Sequence, residues 1–104
     1  MAGIWTVPSA PYAYEQITVA GAAAGLTTSK YGPPSGAKAI SALITSETAQ
    51  IRYTLDGSTT PTSAIGHLMS PGDALILDDS TAVKNFKFIL VSGSPVLNVT
   101  YFRR

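Results

Sequence analysis

The chain has no cysteine and one histidine, and only 12% of its 104 residues are charged. Without cysteine there are no disulfides, no thiolate nucleophile and no Cys-ligated zinc, so the fold must be held by packing, and the redox compartment is left open. A lone histidine cannot assemble a metal site, and no carboxylate stands at a helical metal spacing from it. His67 is therefore read as structural, bonding a turn or packing at a strand start. The net charge of +1 leaves no basic patch for nucleic acid or an anionic membrane, because phosphate binding needs several clustered Lys and Arg and Arg103-Arg104 is only a pair. Long apolar runs are missing too. Residues 19–26 form the most apolar small-residue segment, too short and too Gly-rich to span a bilayer, and no basic stretch followed by an apolar run marks an export signal.

What is present is Gly, Pro, Ser, Thr and Ala in quantity, with 45% hydrophobic residues. A chain of this length is one domain that buries roughly 60 to 65% of its unfolded surface, enough to fold without metals. The charged fraction is about half the usual share. Such sparse charge suits a subunit whose surface is covered by neighbours.

The rest of the chain is organised around residues 51–62. Ile51, Tyr53 and Leu55 alternate with Arg52 and Thr54, the period of a strand with one face in a core. The strand stops at Asp56-Gly57, where Asp bonds its own backbone and Gly takes positive φ, and Pro61 denies a further ladder.

Before it, residues 1–14 hold Ile4, Trp5, Val7, Tyr12 and Tyr14 between prolines, a mix that excludes a long helix and is read as an extended N-terminal arm. The sequence does not separate an arm folded on its own domain from one reaching a neighbour. The folded domain is assigned to residues 15–104, beginning with a strand over 15–20. Residues 21–36 read as a long Gly/Pro loop whose only large side chains are Lys30 and Tyr31, and a loop of this length is usually functional or lies across a partner. Residues 38–45 are apolar on both parities, as in a central strand, and residues 45–48 are expected to turn it into a hairpin with 49–55.

After the Asp56 turn come strands over 64–69 and 74–77, separated by Pro71-Gly72 at the centre of a type II turn. Residues 80–85 offer one helical turn capped by Asp79 or Ser80. Residues 86–91 carry Phe86, Phe88 and Leu90 on one parity. Residues 96–102 close the chain with Leu97, Val99 and Tyr101 inward, Asn98 and Thr100 outward, and Phe102 on the outer face. About seven short strands with no long helix predict an all-β fold, a small β-sandwich or jelly roll.

Catalytic chemistry finds little footing. Four of the six acids fall in turns where Asp serves the backbone, Asp78-Asp79 lacks the spaced ligands of a calcium loop, and no Ser occupies a nucleophile elbow or phosphate-binding loop. The Asn98-Val99-Thr100 triplet matches the glycosylation signal but lies mid-strand in a chain with no export signal, and is read as a chance match. The chain is expected not to be an enzyme and to need no cofactor.

The run 51–61, with Gly66-His67-Leu68, Pro71-Gly72-Asp73, Val83-Lys84-Asn85-Phe86-Lys87 and the terminal Val99-Thr100-Tyr101-Phe102-Arg103, resembles small virion proteins encoded near the capsid genes of tailed bacteriophages. The resemblance implies a β-sandwich structural subunit, a cement or decoration protein gripping the capsid shell, commonly as a trimer. Its partner would be the major capsid protein, and its location the virion. Tyr53-Thr54-Leu55-Asp56-Gly57-Ser58-Thr59 is also similar to the small sandwich domain appended to chitobiase-like hexosaminidases and bacterial surface proteins. The present chain has an extra Thr before Pro61, and this second likeness supports a strand and turn only.

The partner-binding candidates are Ile4, Trp5, Tyr12, Tyr14, Tyr31, Phe102 and Arg103. The competing reading is a carbohydrate-binding module or fibre component using Trp5, Tyr12, Tyr14 or Tyr31 as stacking platforms, and a neck or tail position is a further alternative to the head.

Overall fold

Alternation of apolar and polar residues drives the architecture, and it is clearest at the C-terminal end, where Leu97, Val99 and Tyr101 are wholly buried and the residues between them are not. The computed structural model describes residues 10–33 and 36–104. In chain order the elements are β1 (Ala10–Thr18), β2 (Ala24–Gly25), α1 (Thr28–Tyr31), β3 (Ser41–Glu47), β4 (Ile51–Thr54), β5 (His67–Met69), β6 (Ala74–Leu77), α2 (Ser80–Asn85), β7 (Lys87–Leu90) and β8 (Val96–Arg103). They form two four-stranded sheets, β1-β8-β3-β6 and β2-β7-β4-β5.

Every strand pairing is antiparallel. First pairs with last, β2 with β7, β3 with β6 and β4 with β5, and these pairs fall alternately in one sheet and the other. That is one long hairpin rolled over itself, the order of an eight-stranded jelly roll. The inner faces supply the core: Ala42, Ile44, Leu77, Leu97, Val99 and Tyr101 from the first sheet meet Ile51, Met69 and Phe88 from the second, and Val83 and Phe86 close one end.

Several elements stand where the sequence puts them. The β6 limits agree, the α2 turn is capped by Asp79, whose Oδ1 accepts from the Ala82 amide at 2.7 Å, and Phe86 and Phe88 point inward. Gly72 at φ +92 sits in the type II turn, closed by the Asp73 amide donating to the Ser70 carbonyl at 3.0 Å.

Other expectations are corrected. The strand over 38–45 and the strand over 49–55 do not form a hairpin: β3 and β4 lie in opposite sheets. The chain turns between them at Thr48, whose φ is +83. Ser46 bonds instead to the Ser70–Asp73 turn, donating its amide to Asp73 O and its hydroxyl to Ser70 O, and accepting from the Gly72 amide. Two sheet-to-sheet crossings therefore brace each other, satisfying polar groups that a hairpin would have paired. Leu55, expected inward, is exposed because the strand ends at Thr54, whose hydroxyl donates to the Thr59 carbonyl at 2.7 Å. The 21–36 segment contains β2 and the single turn α1.

At the N-terminal side, Ala10 to Tyr14 belong to β1, so the first strand starts five residues earlier than the pattern predicts. Pro11 is tolerated because β1 is an edge strand and the register shifts between Pro11 and Ala13, the positions where a sheet accepts proline. Ile4 and Trp5 lie outside the described residues.

Candidate partner-binding surface

The β1–β8 pairing brings the two ends of the described chain together, with Ala10 opposite Arg103. The register shift leaves Tyr12 without a strand partner and re-aims it, the usual effect of a bulge. Its ring lies 6.5 Å from Tyr101, and its hydroxyl donates to the Lys30 carbonyl at 2.6 Å. Above the ring, at 4.5 Å from its centre, sits the Arg103 guanidinium, a cation–π contact. Gly36, at φ +88, leaves space beside that guanidinium that a Cβ would take away, since the added atom would stand 3.0 Å from Arg103 Nη1. Burial raises the Tyr12 phenol pKa and Arg103 opposes the rise. Tyr31 is half-buried against the core, and its carbonyl accepts from the Ala39 amide at 2.8 Å. Tyr12 and Arg103 thus meet at one corner, and the Tyr12 hydroxyl ties that corner to Lys30, the residue before Tyr31.

A second network lies just inside that corner. Tyr101 is fully buried and its hydroxyl donates to Glu15 Oε2. The other Glu15 oxygen accepts from the Thr27 hydroxyl at 2.6 Å, tying the start of α1 to β1. The Tyr101 phenol is pushed well above its ordinary value, by burial first and then by Glu15, which accepts its proton and repels a phenolate. Below about pH 10 both folded and unfolded chains keep that proton and the stabilisation is fully present. Above about pH 10 the unfolded chain ionises and the stabilisation is lost. Glu15→Ala, which strands a buried hydroxyl, is expected to cost about 1–2 kcal/mol at neutral pH. Tyr101→Phe should flatten the alkaline fall in denaturant stability. An unchanged alkaline profile in Tyr101→Phe would separate Tyr101 from that fall.

Tyr14 and Phe102 occupy the outer face of the β1-β8-β3-β6 sheet. Tyr14 is 57% exposed and its hydroxyl donates to Asn98 Oδ1 at 2.6 Å. Phe102 is half-buried and paired with Pro11 and Ser41. Asn98 also accepts from Gln16 Nε2 at 3.2 Å and donates Nδ2 to Glu47 Oε2 at 2.6 Å. Strand alternation places Asn98 and Gln16 outward from sequence alone but gives no sign of Glu47, because only the register of β3 on β8 brings Glu47 beside Asn98. Glu15 escapes sequence reasoning for the same reason.

Elsewhere, the Asp56 carboxylate accepts from the Thr59 hydroxyl at 2.5 Å, the Thr59 amide at 2.9 Å and the Ser58 amide at 3.2 Å. These bonds, that of the Thr59 hydroxyl foremost, lower its pKa to about 2. His67 begins β5 and packs its ring 5.3 Å from Tyr53. An open cleft of about 220 Å³ lies between residues 23–25, Thr60, Lys84 and Lys87, with Phe86 in its lining. Among the described residues no group of three or more His, Cys, Asp or Glu is placed to hold a metal ion, and no helix is long and apolar enough to cross a membrane.

No protein-family model matches the chain, and comparison with curated proteins and with solved structures finds no significantly similar protein.

Proposed function

We propose that the chain is a structural virion protein, a cement or decoration subunit that binds the major capsid protein of a bacteriophage head, as a trimer, with no part in catalysis or in binding nucleic acid or membrane. The observation that carries this reading is the cross-bonded corner at Ala10, to which residues 1–9 are joined. Ala10 opposes Arg103, Arg103 stacks on Tyr12 with Gly36 leaving it room, and the Tyr101–Glu15–Thr27 network lies just inside, all of which supports a firm base for residues 1–9. The attached segment carries Ile4, Trp5 and Val7, apolar area that can be buried on a neighbouring shell protein at roughly 25 cal/mol per Å². Many such contacts repeated over a shell add through multivalency. The resemblance of residues 51–103 to small virion proteins is a second support and the source of the trimer. A jelly roll is an architecture on which viral shell domains are built, although a fold alone does not fix a function.

The test is a variant beginning at Ala10. Deleting through residue 14 would strip half of β1 and confuse loss of fold with loss of the segment. The shorter variant is expected to melt like the intact chain, within about 0.5 kcal/mol, and to fail to co-sediment with shells. Full binding by the variant would show that residues 1–9 play no part in attachment.

A further inference from the structure

The outer face of the β1-β8-β3-β6 sheet carries two adjacent rows that run across its strands. One is Tyr14, Thr100, Leu43 and Ile76, and the next is Gln16, Asn98, Thr45 and Ala74 with Glu47 beside it. The first row is largely apolar and open: Tyr14 is 57% and Ile76 53% exposed. The second is polar and internally bonded, through Gln16 to Asn98 and Asn98 to Glu47.

We propose that this face binds a neutral oligosaccharide laid across the strands, with the Tyr14 ring under one pyranose and the Gln16–Asn98–Glu47 row on its hydroxyls. A pyranose has a C–H face and a hydroxyl rim, and the two rows match that division. The aromatic ring is already fixed, because its hydroxyl is held by Asn98 at 2.6 Å. The amide and carboxylate groups are likewise oriented before any ligand arrives, which lowers the entropy lost on binding. Their remaining capacity is mixed. Glu47 Oε1 and Gln16 Oε1 accept, and the second Gln16 N–H donates, which suits hydroxyls that both give and take a proton.

Charge and size narrow the ligand. Glu47 is the only charged residue in these rows, so they hold no cation for an anionic polymer. A protein partner of ordinary size would bury about 800 Å² on each side, with an apolar centre, whereas here a polar, internally bonded row lies directly beside Tyr14, and the other aromatic of the face, Phe102, is already half-buried. Four strands at about 4.8 Å spacing span about 14 Å, room for a few linked rings. Tyr14 lies further along β1 than the Ala10–Arg103 corner, so saccharide binding and shell attachment succeed or fail separately.

The experiment is an NMR titration of the full-length ¹⁵N-labelled chain. The probes are cellohexaose, maltohexaose and a β-1,4-linked N-acetylglucosamine hexamer, each taken to millimolar concentration. At least one is expected to shift the side-chain amide signals of Gln16 and Asn98 and the backbone amides around Tyr14 and Thr100. Tyr14→Ala should weaken that binding about tenfold or more, the size of an aromatic contact. Glu47→Ala, at the exposed end of β3, should weaken it independently and serves if the Tyr14 variant is poorly folded. No shift with any probe, shifts confined to the Lys84–Lys87 cleft, or unaltered binding by both variants would overturn the proposal.

Discussion

Phe86→Ala is expected to remove about 3–5 kcal/mol of stability, the cost of truncating a fully enclosed aromatic. Phe86 is fully buried, with its ring centre 5.5 Å from Tyr53 and 5.4 Å from Phe88. It also ends α2, its amide donating to the Ala82 carbonyl at 3.0 Å. One side chain thus joins the helical turn to the end of the second sheet, and its carbonyl lies close to Gly25 of β2. Truncation would open a cavity between elements that cannot collapse together without moving the β7 strand. Against a total stability of about 5–15 kcal/mol for a domain of this kind, the variant should melt far below the parent, at roughly 4–8 °C for each kcal/mol. A loss under about 1 kcal/mol would mean that this end of the core repacks freely, contrary to tight interior packing.

Gly66→Ala comes next, at about 2–4 kcal/mol, from left-handed strain combined with overlap against main chain. Gly66 has φ +125, and a Cβ there would stand 2.9 Å from the Tyr53 carbonyl oxygen and 3.2 Å from its amide nitrogen. Those atoms belong to β4 and cannot give way as a flexible side chain would. The same residue anchors the loop that precedes β5: its carbonyl accepts from Arg52 Nη1 at 2.9 Å while Ser63 O accepts from Arg52 Nε at 3.1 Å. The methyl group should therefore push β5 away from β4. Hydrogen exchange at Leu68 and Tyr53 is expected to accelerate together with the fall in melting temperature. Unchanged exchange would show that the loop, and not the strand pair, absorbs the strain.

These two positions also mark how far the sequence can be read. Phe88 is legible because alternation within one strand is a local property, and the same holds for Leu97, Val99 and Tyr101; Phe86 shares the parity of Phe88 but stands one residue before β7, at the end of α2. Turns are legible where their chemistry is local: Pro71-Gly72 and Asp56-Gly57 need positive φ, and Gly takes it at both. What cannot be read is which sheet a strand joins. β3 and β4 are neighbours in sequence, yet the Ser46 bonds to the Ser70–Asp73 turn carry the chain across the sandwich. Pro11 hides the start of β1, because proline argues against a strand unless the strand is known to be an edge.

The surface is legible only in part. Tyr12 and Arg103 stand out as large side chains near the two ends, but their stacking follows from the β1–β8 register. Gly36 gives no sign in the sequence that it makes room for a guanidinium. Gln16, Asn98 and Glu47 come from three strands distant in sequence, and their row exists only once those strands are aligned.

The proposed virion role is tested most directly by the copy number of this chain in purified particles relative to the major shell protein. Particles sedimented from a lysate are expected to carry it in a fixed proportion comparable with the shell protein, as repeated decoration of the head requires. A chain left in the supernatant, or present in particles at only a small fraction of the shell protein, would contradict a cement role.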